Sequence, residues 1–438
     1  MDASANEFLD LSKHVGVVEE KTFFHNSPFE MEGGQLVDFK LKYETYGSLN
    51  STFSNVILIC HALTGDHHVA GVYEAGDEKP GWWNHIVGPG KPIDTSKFFV
   101  VCSNCLGGCR GSTGPLSESP NGKAYGSDFP DLSIRDMVRA QKLLLDYLGV
   151  QQLFAVVGGS MGGMQTLQWI VEFPDYLEKA IIIAATAQHS VQTIAFNEAG
   201  RRSIMDDPNW LDGKYAKGKG PLKGLGVARM MAHITYLSDL GMEEKFGGEK
   251  RLDSDPNFEF SVHRYLDYQG DKFINRFDAN SYLKLTEALD RFDLVGEKGL
   301  EASLKEVKAK TMILAFSSDW LYTPEQNKII AKALHALGKP ATYIQLDDMH
   351  GHDSFLIDSE PFLQAVRFFL QGINQKSEKP LYAEGFRNLK NRYEVKKEAD
   401  FKIIDEWVED KSRVLDLGCG RGLLLEHLRE SKEVSGLG

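Results

Sequence analysis

Basic residues are in short supply here, with 49 Lys and Arg against 62 Asp and Glu in 438 residues, a formal net charge of -13. That balance argues against nonspecific nucleic-acid binding, although it leaves room for a local basic pocket. Long apolar runs are missing too, so no segment reads as a membrane span. The start Met1-Asp2-Ala3-Ser4-Ala5-Asn6-Glu7 is polar and acidic and lacks the apolar core of a secretory leader. A cytoplasmic protein is the expectation. Cysteine is scarce, five in all, and Cys102-x-x-Cys105-x-x-x-Cys109 has no fourth spaced cysteine nearby to complete a cluster site. The expectation is reduced thiols and no metal. What the chain does have is 42% hydrophobic residues, enough for a large core plus one smaller unit.

Chemistry enters at Gly158-Gly159-Ser160-Met161-Gly162-Gly163, between the apolar run Leu153 to Val157 and the helical spacing of Met164 to Phe173. A serine flanked at two residues' distance by glycines, where a strand turns into a helix, is the pattern of a nucleophile elbow. Flanking β-carbons would collide with neighbouring backbone in such a turn. The helix N-terminus also favours a group that becomes alkoxide-like. By itself the pattern is equally a tight connection, so its partners decide. In an α/β-hydrolase the acid and the histidine follow the nucleophile in the chain, each on a loop after a later strand. Lys310 to Phe316 reads as a buried strand and Ser317-Ser318-Asp319 follows it, so Asp319 is the candidate acid. Ala341 to Leu346 reads as another, followed by Asp347-Asp348-Met349-His350-Gly351-His352-Asp353. Of the two histidines His352 is preferred, because Gly351 allows a sharp bend and a helix expected from Phe355 and Leu356 would anchor the loop. Taken singly, Asp319 could be a helix cap and either histidine a surface polar residue. The backbone N–H groups of Leu63, on the loop His61 to Asp66 after the strand Asn55 to Cys60, and of Met161 are the candidate oxyanion donors.

Several longer strings accompany these. His61-Ala-Leu-Thr-Gly-Asp66, Pro80-Gly-Trp-Trp83, Gly88-Pro-Gly-Lys91, Cys102 to Cys109 with Gly111-Ser-Thr-Gly-Pro115, and Gly351-His-Asp353 together resemble the homoserine O-acetyltransferases of α/β-hydrolase type, from about Phe23 to Gly372. The resemblance implies transfer of an acetyl group from acetyl-CoA, a co-substrate rather than a bound cofactor, to L-homoserine, and a homodimer. It implies Ser160 as nucleophile and His352 as base oriented by Asp319. It also implies Arg229, in Ala228 to Tyr236, and Asp353 as substrate-contacting residues. An amino-acid substrate needs one fixed cation for its carboxylate and one fixed anion for its ammonium, which Arg229 and Asp353 would supply. Tyr236, seven residues on from Arg229, shares its helical face and is either a site residue or a packing aromatic. Succinyl-CoA as donor, L-serine as acceptor, and plain ester hydrolysis are the competing readings.

The expected organisation is a hydrolase core over 1–187, a helical cap over 188–295 with Met, Arg, Lys, Tyr and Phe at helical spacings, the rest of the core over 296–373, and a separate tail over 374–438. In the tail, Arg413-Val-Leu-Asp-Leu-Gly-Cys-Gly-Arg-Gly422 resembles the first motif of S-adenosylmethionine-dependent methyltransferases, in particular a methionine-biosynthesis protein. A methyltransferase or regulatory module driven by this tail is a third class of reading. Roughly sixty residues of such a unit cannot make a normal core. The tail is therefore expected to be an incomplete fusion partner without its own cofactor site.

Overall fold

A computed structural model of the protein describes residues 14–216, 218–247 and 258–372, with 413–415, 428, 432 and 435–437 near the C-terminus. The chain divides into two compact units, residues 1–372 and 373–438.

Eight strands build the sheet of the first unit: β1 Lys21–His25, β2 Phe39–Tyr46, β3 Val56–Cys60, β4 Phe99–Ser103, β5 Leu153–Gly159, β6 Leu177–Ile183, β7 Lys310–Phe316 and β8 Ala341–Leu346. Their order is β1-β2-β4-β3-β5-β6-β7-β8. β2 runs antiparallel to both β1 and β4, and every pair from β4 to β8 is parallel. Parallel strands carry helices on both faces, and this explains why Val-Ile-Leu-Ile-Cys of β3 is buried at every position. Successive residues feed opposite cores. Val56, Leu58 and Cys60 join one apolar cluster, while Ile57 and Ile59 join the other.

Helices α1 Ile134–Tyr147 and α2 Met161–Glu172 lie before β6. Ser133 and Asp136 close a reciprocal cap at the start of α1. Between β6 and β7 the chain leaves the sheet for α3 Val191–Met205, α4 Leu222–Tyr236, α5 Asp239–Phe246, α6 Ser261–Ile274 and α7 Ala279–Asp290. α4 packs between α3 and α6. The short α8 Leu300–Leu304 leads into β7, and α9 Pro324–Ala336 and α10 Glu360–Gln371 complete the layers. Among the described residues no helix is long and apolar enough to cross a membrane.

One expected element differs. Phe355 and Leu356 do not open a helix; they end a tight 3-10 turn over Gly351–Leu356, and α10 starts at Glu360 with Pro361 in its first turn. Gly351 has a φ of 75°, and a β-carbon there would lie 2.6 Å from the Ser238 backbone nitrogen. Close approach to the segment after α4 thus winds this loop tightly and sends His352 inward. In the second unit, β9 Arg413–Leu415 and β10 Ser435–Leu437 pair in parallel. The glycine run that follows Leu415, from Asp416 to Gly422, lies outside the described residues.

Candidate active site

Ser160 stands at the junction of β5 and α2 with φ 60° and ψ -125°, a region that costs a non-glycine residue on the order of 1–3 kcal/mol. Its neighbours make the turn possible. A β-carbon on Gly158 would lie 2.2 Å from the Gly162 carbonyl oxygen, and one on Gly162 would lie 2.0 Å from that of Cys60. Both glycines are there because backbone from β3, β5 and α2 converges at the turn.

His352 Nε2 is 2.8 Å from Ser160 Oγ, and His352 Nδ1 is 2.8 Å from Asp319 Oδ2. Since a carboxylate only accepts, Nδ1 carries the hydrogen and Nε2 is left to accept from the serine hydroxyl. Asp319 is held in turn by the Leu321 and Tyr322 backbone N–H groups, each 2.9 Å from Oδ1. Burial alone would push the His352 pKa down, but the Asp319 charge and hydrogen bond, with the charge of Asp353, outweigh it and hold His352 above its ordinary value. His350 lies elsewhere, its Nδ1 2.8 Å from Asp348 Oδ1.

The loop after β3 passes beside the serine. Buried His61 pins it: Nδ1 donates to the Ala62 carbonyl at 2.7 Å, and Nε2 accepts the Cys105 N–H at 2.9 Å. Burial lowers the pKa of His61, which suits the neutral ring this pattern requires. The Leu63 N–H meets no acceptor among the described residues. Met161 opens α2, where the first N–H groups have no partner within the helix.

On the cap side, Arg229 of α4 donates through Nη1 to Thr64 Oγ1 at 3.2 Å, and its guanidinium lies over the rings of Phe273 and Tyr236 at 4.8 and 5.5 Å. The Tyr236 ring is 5.9 Å from that of His352. Asp353 follows His352 directly; burial pushes its carboxyl up, against the opposing pull of His352 and Arg229. Of the residues singled out in the sequence, Ser160, Leu63 and Tyr236 line one cavity of about 40 Å³. Its remaining walls include Thr193, Phe196, Asn197, Met231, Thr235, Tyr282 and Tyr322. The sequence reading missed these, as apolar and neutral side chains at helical spacing look like ordinary packing. It also missed Arg276, whose Nη1 donates to the Thr64 carbonyl at 2.9 Å. Among the described residues no group of three or more His, Cys, Asp or Glu is arranged to hold a metal ion. Burial pushes the Cys102 and Cys105 thiols up.

A family model described as the alpha/beta hydrolase fold matches residues 55–359. The chain is 50% identical over 366 residues to the homoserine O-acetyltransferase of Methanococcoides burtonii, a match spanning 82% of this chain and 75% of that one. The chain belongs to the homoserine O-acetyltransferase family of α/β hydrolases. Within this family circle it is also 47% identical to a homoserine O-succinyltransferase of Halothiobacillus neapolitanus, over 86% of this chain and 96% of the relative. Among solved structures, the homoserine O-acetyltransferase from Bacillus anthracis is 31% identical with a TM-score of 0.76, covering 81% of this chain and 98% of that one. Esterase E22 shares that TM-score at 33% identity, covering 81% of this chain and 100% of its own. A second family model, methionine biosynthesis protein MetW, matches residues 398–438.

Proposed function

We propose that the protein transfers the acetyl group of acetyl-CoA to the hydroxyl of L-homoserine, giving O-acetyl-L-homoserine and CoA, as a step in methionine biosynthesis. The observation that carries this reading is the hydrogen-bonded row Ser160, His352 and Asp319 with a cation, Arg229, and a carboxylate, Asp353, at its end. A hydrolase needs only the row; an amino-acid acceptor needs the two charges as well.

His352 takes the Ser160 proton as Oγ attacks the thioester carbon, and the Leu63 and Met161 N–H groups receive the developing oxyanion. The tetrahedral centre collapses, the C–S bond breaks and CoA leaves with the proton from His352, so Ser160 is acetylated. Homoserine then enters with its carboxylate on Arg229 and its ammonium on Asp353, and Tyr236 walls the pocket beside His352. His352 takes the homoserine hydroxyl proton, the alcohol oxygen attacks the acetyl carbon, and the Ser160 ester bond breaks as the proton returns to Oγ. The 50% identity to a homoserine O-acetyltransferase supports acetyl over succinyl as the group transferred.

Exposed apolar side chains on the cap, Val191, Val227, Ile234 and Leu240, support a homodimer. The free cysteines support a cytoplasmic location.

The deciding experiment is thiol release from acetyl-CoA by the purified protein with and without L-homoserine, with succinyl-CoA and L-serine as substitutions. Release that requires homoserine and favours acetyl-CoA is expected. Release indifferent to the acceptor would make the protein an esterase. In the same assay Arg229→Lys is expected to raise the homoserine KM about tenfold, because an ammonium cannot reproduce the two parallel N–H bonds of a guanidinium. An unchanged KM would take Arg229 out of the acceptor site.

A further inference from the structure

A second buried histidine–carboxylate pair lies against the first. His189, between β6 and α3, places Nδ1 2.9 Å from Asp290 Oδ1 and Nε2 2.8 Å from the Tyr322 hydroxyl. Asp290 ends α7 and also accepts from Asn197 Nδ2 and Arg201 Nη1 of α3, each at 2.7 Å. The protonation pattern follows from the partners. Asp290 only accepts, so His189 Nδ1 carries a hydrogen.

Tyr322 meets the catalytic row three times. Its N–H bonds Asp319 Oδ1 at 2.9 Å, its ring stands edge-on to His352 at 5.1 Å, and it lines the cavity with Ser160. The network therefore ties the start of the cap, α3 and the end of α7 to one residue of the core loop beside the histidine. Cap packing does not call for it, since apolar groups of similar shape hold helices together at no greater cost than desolvated charges. Its position beside the row calls for another explanation.

We propose that His189, Asp290 and Tyr322 are positioning residues that lock the cap over the catalytic row and keep water from the acetylated Ser160, so that they set the division between acyl transfer and hydrolysis. This rests on the acetyl-transfer reading above. In the competing reaction a water oxygen bonds to the acetyl carbon, His352 takes the water proton, the Ser160 ester bond breaks, acetate leaves and the proton returns to Oγ. The only difference from transfer is which hydroxyl reaches the acyl carbon, and a loosened lid decides that.

Tyr322→Phe and His189→Gln, singly and together in the full chain, test this through acetate and O-acetylhomoserine formed from acetyl-CoA at saturating homoserine. The hydrolysed share is expected to rise about tenfold in either single variant, a misplacement effect of modest size. The double variant is expected to add nothing further, because both changes cut the same link. A merely structural role would lower both products together, so an unchanged share, or effects that add, would overturn the proposal. If His189→Gln fails to fold, Tyr322→Phe decides alone, as it removes a single oxygen. Wild-type thiol release indifferent to homoserine would remove the acetyl-transfer reading and this proposal with it; wild-type transfer with unchanged shares in the variants would remove only the proposal.

Discussion

Ser160→Ala is expected to lower homoserine-dependent thiol release by a factor on the order of 10⁵–10⁶, to the level set by binding and the oxyanion donors alone. The substitution removes one oxygen whose only side-chain partner among the described residues is His352 Nε2. It keeps the β-carbon that the strained turn already accommodates, so the loss belongs to chemistry and not to folding. Ser160→Gly sharpens the point. Relief of φ 60° at this position should make that variant more stable by about 1 kcal/mol while leaving it equally inactive. Intact-protein mass after mixing with acetyl-CoA and no acceptor completes the test. The wild type should gain one acetyl group on Ser160, and both variants none. An acetyl group found on the alanine variant, or activity within a hundredfold of wild type, would remove Ser160 from the covalent step.

Much of the sheet was legible because its strands are rich in apolar residues: Lys310 to Phe316 and Ala341 to Leu346 occupy the very residues expected of them. The strand before the elbow reads two residues short, ending at Val157 where β5 continues to Gly159, since glycines carry no apolar signal. The preference for His352 over His350 depends on a bend at Gly351, and the sequence shows the glycine. It does not show why the turn is so tight, since the constraint is the Ser238 backbone, more than a hundred residues earlier. The site's acceptor end was partly readable through Arg229 and Tyr236, whose spacing of seven puts them on one face of α4. Arg276 and Thr64 were not readable, because nothing local marks two residues 212 apart as partners. The same holds for His189 and Asp290, 101 residues apart: each looks like a lone surface residue until the cap folds back on the sheet. Side chains that act through long-range pairing carry no periodicity, and these pairs of the cap are of that kind.

Asp319→Asn separates orientation from nucleophilicity. An amide in place of the carboxylate can donate to His352 Nδ1, which would leave the ring hydrogen on Nε2, facing Ser160, where it cannot accept the serine proton. A fall in kcat of about 10³–10⁴-fold is expected, with homoserine KM little changed because Arg229 and Asp353 remain in place. The pH dependence makes the assignment specific. His352 must be neutral to act, and its pKa is raised above the ordinary 6.5, so wild-type kcat/KM should climb with pH through a midpoint above 6.5. The Asp319 charge is lost in the variant and a donated amide bond no longer favours the protonated ring, while burial, which pulls the pKa down, stays. The residual activity of Asp319→Asn should therefore rise through a midpoint displaced to lower pH. A midpoint that does not move would mean that some group other than His352 governs the acidic limb, and a loss smaller than tenfold would mean that Asp319 does not set the tautomer.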